Sequence, residues 1–123
     1  MTSRRSQDIK RAQKESFLFR EVSANLMRLF AEKEEFKTLT PTRVKLSPDK
    51  GRVTIFFVSS QGEADFDEKL GLLILYKPSL RSVLAAALQS RYTPDLTFKY
   101  DLSMEKSRRI DDLIDKLKES GRL

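Results

Sequence analysis

The side chains best placed for chemistry in this sequence lie around Pro78. Lys77 and Arg81 flank this proline, and Ser79 follows it directly. Apolar residues at helical spacing continue on both sides of Pro78, so the sequence predicts two helices that meet at an angle at Lys77–Ser79. Ser79 is expected to cap the second helix with its hydroxyl. A helix start offers free backbone N–H groups, and here two positive side chains lie beside it. Both features favour binding of an anion, most often a phosphate.

Few other kinds of chemistry are open to this chain. It contains neither Cys nor His, which excludes disulfides, thiolate or imidazole zinc sites and catalysis by Cys–His or Ser–His pairs. Asp65, Asp67 and Glu68 could be a metal site of a nuclease, but acids at a helix start are more often caps. We interpret Asp65 as the N-cap of a helix and Glu68 as its capping-box partner. With no phosphate-binding loop or serine elbow either, we expect no enzyme, cofactor or small-molecule substrate.

The composition favours an anionic macromolecular partner. The 123 residues include 24 Lys and Arg against 18 Asp and Glu, a net charge of +6, which is a moderate bias toward nucleic acid. No apolar run approaches the roughly 20 residues of a membrane span, and the N-terminal segment has no apolar core of the kind found in secretory signals. We therefore expect a single-domain, monomeric, cytoplasmic protein that does not enter a membrane.

The first predicted element is a long helix over residues 7–33, preceded by a basic arm over residues 1–6. Its apolar stripe predicts a buried face, and Phe17 and Met27 fall off that stripe. The stripe consists of Leu18, Phe19, Val22, Leu26, Leu29 and Phe30. The basic residues of its first half, which include Lys10, Lys14 and Arg20, form either a solvated face or one that faces RNA.

A hairpin follows, with strands over residues 40–47 and 52–60 and a turn in which Gly51 is expected to take a positive φ. Apolar residues alternate along both strands, so the helices should cover one face. Phe56 lies on the other face, near Arg43 and Lys45, where it either stacks on a base or packs under another element.

The rest of the chain completes a small α+β domain. A helix opening at Asp65, the bend, and a second helix ending near Arg91 lead to a strand over residues 96–100. An amphipathic helix over residues 103–119 follows. The order helix–strand–strand–helix–kink–helix–strand puts the helices on one face of a three-stranded sheet. We assign residues 7–102 to this domain and residues 103–123 to a C-terminal helix and tail.

This order resembles the KH domain in its type II arrangement, and two blocks narrow the likeness. LSPDKGRVTIFFVSS at 46–60 and LRSVLAAALQSRYTPDLTFKYD at 80–101, followed by RIDDLIDKL at 109–117, resemble the ribosome-binding factor A family. The resemblance implies a non-catalytic factor that binds the immature 30S subunit and 16S rRNA and assists late maturation, 5′-end processing and growth in the cold. It also implies a helix–kink–helix, commonly built on Ala-x-Gly, where this chain has Tyr76-Lys77-Pro78.

We predict that basic side chains around the bend and the neighbouring strands contact RNA phosphates, with Ser79 helping through its hydroxyl or backbone. The predicted RNA-binding residues are Arg43, Lys45, Lys77, Ser79, Arg81, Arg91 and Lys99. Two alternatives stay open: a general KH-like RNA-binding domain, and a protein-interaction module that acts through the C-terminal helix or through Phe17 and Met27.

Overall fold

A computed structural model describes residues 4–121 and has the predicted α+β order. The elements are α1 (Arg4–Glu32), a 3-10 turn (Glu34–Phe36), β1 (Leu39–Leu46), β2 (Arg52–Ser59), α2 (Glu63–Ile74), α3 (Lys77–Leu88), β3 (Asp95–Tyr100) and α4 (Leu102–Glu119). The strand order is β1-β2-β3, with β1 and β2 antiparallel and β2 and β3 parallel. The parallel pair requires a crossover, which α2 and α3 supply.

One face of the sheet carries the core, as the alternation of apolar residues predicts. Val53, Ile55 and Phe57 are fully buried beneath the helices, and so is most of the predicted stripe of α1. Phe19 and Leu29, the remaining stripe residues, pack at the margin of this core. Phe17 and Met27 retain 40% and 55% exposure, so the prediction that they lie off the buried face is confirmed.

The two helices around Pro78 meet at 79°, and the break lies at Leu75 and Tyr76, just before the predicted position. The N–H groups of Leu75 and Tyr76 donate to carbonyls three residues back, which tightens the end of α2 into a 3-10 turn. The Tyr76 ring meets Phe36 edge-on at 5.8 Å between centroids, which anchors the bend to the core. Pro78 is the second residue of α3, where its missing N–H sacrifices no helical hydrogen bond. Within residues 4–121 no single helix is long and apolar enough to cross a membrane, although α2 and α3 together reach that length and composition across their bend.

Several predicted helix ends differ from the observed ones. Because α1 begins at Arg4, residues 4–6 of the predicted arm are helical, whereas residues 1–3 lie outside the described part of the chain. At the other end of the domain, α3 stops at Leu88 rather than near Arg91. Gln89 takes a left-handed conformation with φ 52°, a common way for a helix to end.

The predicted conformation of the β1–β2 turn is also wrong. Lys50, and not Gly51, has the positive φ, at 62°. The Asp49 carboxylate accepts hydrogen bonds from the Ser47 hydroxyl at 2.6 Å and from the Gly51 N–H at 2.9 Å. These bonds close the turn around Lys50, which therefore carries the left-handed conformation although its neighbour is a glycine.

Asp65 is not the N-cap of α2, so the capping-box prediction is wrong. The helix begins at Glu63 after Gly62, with no side-chain cap. The Asp65 carboxylate instead forms an ion pair with Lys69 at 2.8 Å and accepts hydrogen bonds from the hydroxyls of Ser59 and Thr38, each at 2.6 Å. These partners, Lys69 first, lower the pKa of Asp65 to about 2. The carboxylate thus ties α2 to the end of β2 and to the residue before β1.

We expect Asp65→Asn to remove a pH-dependent part of the stability. A folded-state pKa below the unfolded value contributes stability above the unfolded pKa of about 3.9, and this stability disappears as the pH falls through about 2. The shift corresponds to roughly 2 kcal/mol of unfolding free energy. Urea unfolding measured at pH 7 and at pH 2 checks this. Between the two pH values the unfolding free energy of the wild type should fall by more than that of Asp65→Asn. Asp67→Asn, at an exposed carboxylate of the same helix, should behave like the wild type, and equal losses in all three proteins would contradict the assignment.

Candidate nucleic-acid interface

Three of the predicted RNA-binding residues project from the open face of the sheet. Arg43 and Lys45 of β1 and Lys99 of β3 alternate with core residues, so their side chains point away from the helices. Strand register places Arg43 and Lys99 on either side of Phe56. Among the described residues, no carboxylate lies within ion-pair distance of Lys45 or Lys99. Both ammonium groups are therefore available to an external anion.

Arg43 is held in place by two contacts within the protein. Its guanidinium carbon lies 4.1 Å from the centroid of the Phe56 ring, and its Nε donates to the buried carboxylate of Asp101 at 3.2 Å. The guanidinium of Arg43 thus covers part of the Phe56 ring. The Arg43 side chain stays 55% exposed, so it can still present part of its fork to a ligand.

Asp101 connects this face to the start of α4. Its carboxylate accepts hydrogen bonds from the Thr42 hydroxyl at 2.6 Å and from the Met104 N–H at 3.0 Å, and it is the N-cap of α4. Burial opposes ionisation, but these two bonds and the charge of Arg43 outweigh it and lower the pKa of Asp101. The ion pair between Arg43 and Asp101 therefore stabilises the fold.

Lys77 and Arg81 come together at the bend, as predicted. With Arg52 and Thr97 they line a cavity of about 350 Å³ at the start of β3. The Arg81 Nε donates to the Pro94 carbonyl at 2.9 Å, and a terminal nitrogen lies 4.0 Å from the Asp95 carboxylate. Arg81 therefore also fastens α3 to the start of β3. Sequence reasoning missed Arg52, although its two-residue spacing from Thr54 and Phe56 marks it as an open-face position.

Ser79 and Arg91 are not brought into this group. Tyr76, not Ser79, is the N-cap of α3, and no side chain caps that helix, so the predicted cap is wrong. Ser79 lies on the opposite side of α3, where it lines a cavity of about 250 Å³ beside Arg28 of α1. Arg91 is exposed in the connection before β3. RNA contacts by these two residues stay predictions.

A second basic group, which the sequence did not predict as one site, lies where α1 runs beside β1. Arg11 and Arg20 of α1 line a cavity of about 640 Å³ with Arg43 and Lys45. The acid in this lining is Glu15, whose carboxylate accepts the Leu46 N–H at 2.6 Å and so covers the free edge of β1. The basic residues of α1 and those of β1 therefore form one continuous positive surface at the edge of the sheet.

The carboxylates considered as a metal site do not converge. Within residues 4–121 there is no group of three His, Cys, Asp or Glu side chains placed to hold a metal ion. Asp65 is engaged with Lys69 and two hydroxyls, while Asp67 and Glu68 are exposed.

Comparison with known proteins identifies the family. The family model described as ribosome-binding factor A matches residues 10–114. The chain belongs to the ribosome-binding factor A family. A ribosome-binding factor A of Aromatoleum aromaticum is 32% identical over 110 residues, which cover 89% of this chain and 87% of that one. One from Syntrophomonas wolfei is 34% identical over 88 residues, or 72% of each chain.

The fold agrees with a solved structure of the same family. The crystal structure of ribosome-binding factor A from Thermus thermophilus matches with a TM-score of 0.60 at 25% identity, over 72% of this chain and 92% of that chain. The α+β fold and the family resemblance predicted from the sequence are thereby confirmed.

We expect Arg43 to contribute to stability and Lys45 and Lys99 not to do so. Arg43→Ala removes the ion pair with Asp101 and uncovers Phe56, and it should lower the unfolding free energy by about 1 kcal/mol because the guanidinium is partly exposed. Lys45→Ala and Lys99→Ala should each change it by less than about 0.5 kcal/mol. Urea denaturation of the three variants measures this difference. A loss at Lys45 as large as that at Arg43 would contradict the assignment.

Proposed function

We propose that this chain is a ribosome assembly factor that binds the immature 30S subunit through 16S rRNA. In this proposal it is a monomeric, cytoplasmic KH-like RNA-binding protein. It assists late maturation of the small subunit and processing of the 5′ end of 16S rRNA, including during growth in the cold, and catalyses no reaction itself. The observation that carries the proposal is the basic surface that Arg11 and Arg20 of α1 form with Arg43 and Lys45 of β1. The relatives of this chain are named ribosome-binding factor A.

The geometry of the open face suits an RNA backbone. Lys45 and Lys99 project from paired strands, so their Cα positions are rigid and their charges are not neutralised within the described protein. Folded RNA is recognised largely by its shape and its phosphates, so a surface rich in cations and poor in base-reading amides is adequate.

The bend provides a second contact region in this proposal. Lys77, Arg52 and Arg81 present three cations around one cavity, with Asp95 as the acid in its lining. Since Arg81 is also bonded to Pro94, it offers only part of its guanidinium. The Lys77 ammonium lies 5.6 Å from the centroid of the Phe98 ring. We include Ser79, on the opposite side of α3, and Arg91, in the loop that follows α3, as further contacts outside this cavity.

Charge reversal on the open face tests the proposal. Binding of purified chain to precursor-containing small subunits, measured by sedimentation, should weaken at least about tenfold in the Lys45→Glu, Lys99→Glu double variant. The matched control is Lys106→Glu, Lys118→Glu, which makes the same change in net charge on exposed positions of α4. Wild-type affinity should also fall by about 0.7–0.9 log units per phosphate contact for each tenfold rise in salt. Equal losses in both double variants, or salt-independent binding, would overturn the RNA-contact role of this face.

A protein-interaction role for α4 is the second candidate, and one observation favours it. None of the described residues of α4 is buried, and Ile110 and Leu113 are each 58% exposed. The helix is attached at its start, where Asp101 caps it and the Tyr100 hydroxyl donates to Glu105 at 2.9 Å. An apolar stripe left open in this way suits a protein partner.

The Ile110→Ser, Leu113→Ser double variant distinguishes the two candidates. If RNA contacts dominate, this variant should sediment with small subunits within about threefold of the wild type, because it leaves every open-face cation in place. Circular dichroism checks that α4 remains helical. Complete loss of association, with α4 intact, would favour the protein-interaction role.

A further inference from the structure

A further basic cavity lies between the first half of α1 and the β1–β2 turn. It has a volume of about 570 Å³. Its lining residues are Lys10, Arg11, Gln13, Lys14, Phe17 and Lys50. Four of these described residues are cations and none is an acid. Arg11 is paired with Asp8 at 3.1 Å, so the excess positive charge of the cavity resides on its three lysines.

Lys14 and Lys50 both line this cavity. The nearby Lys50 ammonium lowers the Lys14 pKa, and burial lowers it further. Two ammonium groups carry only donors, so neither can accept a hydrogen bond from the other when both are protonated. An anion between them would accept from both and would remove the repulsion.

The position of Lys50 is built into the turn. A lysine at φ 62° is in a left-handed conformation that side chains other than glycine disfavour. The turn imposes this conformation through the bonds of Asp49 and through the Lys50 N–H, which donates to the Ser47 carbonyl at 2.9 Å. The strained residue is the one whose side chain enters the cavity.

Phe17 adds an aromatic surface to these charges. It is 40% exposed and lies three and seven residues after Lys14 and Lys10, so all three side chains share one face of α1. An exposed ring beside ammonium groups has the composition of sites that bind single-stranded nucleic acid, where a base stacks on the ring and cations hold the phosphate. Arg11 also lines the cavity between α1 and β1, so the two basic regions are continuous.

We propose that this cavity binds one unstacked nucleotide of RNA, with its phosphate between Lys14 and Lys50 and its base on Phe17. The proposal rests on the proposed function and adds to it a site for a single-stranded segment. That segment continues along α1 from the RNA bound by the open face of the sheet. The same chemistry would accept a free nucleotide or inorganic phosphate, and the experiment separates these ligands from RNA.

Three variants of the full chain test the parts of the site. Phe17→Leu keeps an apolar side chain but removes the ring, Lys14→Gln removes a charge, and Lys50→Gly removes a charge together with the strain of the turn. The probe is a single-stranded octaribonucleotide, followed by fluorescence anisotropy. Each variant should bind the octaribonucleotide at least about threefold more weakly than the wild type. Lys50→Gly should do so while unfolding at a higher urea concentration than the wild type, because glycine adopts this φ without strain. Met27→Leu, at the other exposed off-stripe position of α1, is the control and should bind like the wild type.

Two further measurements identify the ligand chemistry. An octamer of abasic sugar–phosphate should bind Phe17→Leu and wild type equally, whereas the intact octamer distinguishes them. The Lys14 pKa, followed by NMR of its ammonium group, should rise when the octamer binds and should rise less with inorganic phosphate or a mononucleotide at the same concentration. Saturation by either small ligand at the concentration that the octamer requires would overturn the assignment to RNA.

The failure of this inference and the failure of the proposed function are distinguishable. If Phe17→Leu and Lys50→Gly bind the octamer and small subunits like the wild type while Lys45→Glu, Lys99→Glu is defective on small subunits, the nucleotide site is wrong and the proposed function stands. If Lys14→Gln and Lys50→Gly lose affinity but Phe17→Leu does not, base stacking is absent and the inference is overturned. If none of these variants, including the open-face pair, changes small-subunit binding, both are wrong.

Discussion

Burial of one face of the sheet is the constraint on which the rest of this structure depends. Val53, Ile55 and Phe57 lie fully buried under α1 and the crossover helices. Because side chains alternate along a strand, this burial forces the intervening residues onto the other face. Arg43, Lys45 and Lys99 therefore lie together on that face, where Arg43 is also held by Asp101 and Phe56. The apolar core thus positions the proposed RNA contacts.

Two carboxylates hold the ends of this layer. Asp65 joins α2 to the ends of the hairpin, and Asp101 joins β1 to the start of α4. Each has its pKa lowered by its partners, so each is ionised at neutral pH and bonded to groups distant in sequence. Neither was recognisable as a structural anchor, because the hydroxyls that bind them, such as Thr38 and Thr42, carry no distinctive pattern.

The bend between α2 and α3 forms without a glycine. The 3-10 hydrogen bonds of Leu75 and Tyr76 and the contact of Tyr76 with Phe36 set its angle, and Pro78 then begins a new helix at a position where it is favourable. This chain thus keeps two helices at 79° by packing an aromatic residue, Tyr76, against the core.

The order of the helices and strands, the buried faces of α1 and of the sheet, and the family could all be predicted from the sequence. The order and the buried faces depend on local periodicity: the α1 stripe repeats at the helical period, and apolar residues alternate with period two from Val53 to Phe57. The family depends instead on the resemblance of two sequence blocks, 46–60 and 80–101. Which charges meet depends on the packing of the elements and could not be predicted in this way. The positions of α1 beside β1, of Lys50 opposite Lys14, and of Ser79 on the far side of α3 from Lys77 depend on how separate elements pack. They also depend on a left-handed Lys50 that hydrogen bonds of its turn impose against its own preference. The residue pattern of one helix or strand does not specify the angle and rotation at which that element packs against another. Those two quantities decide which side chains meet in every site between two elements.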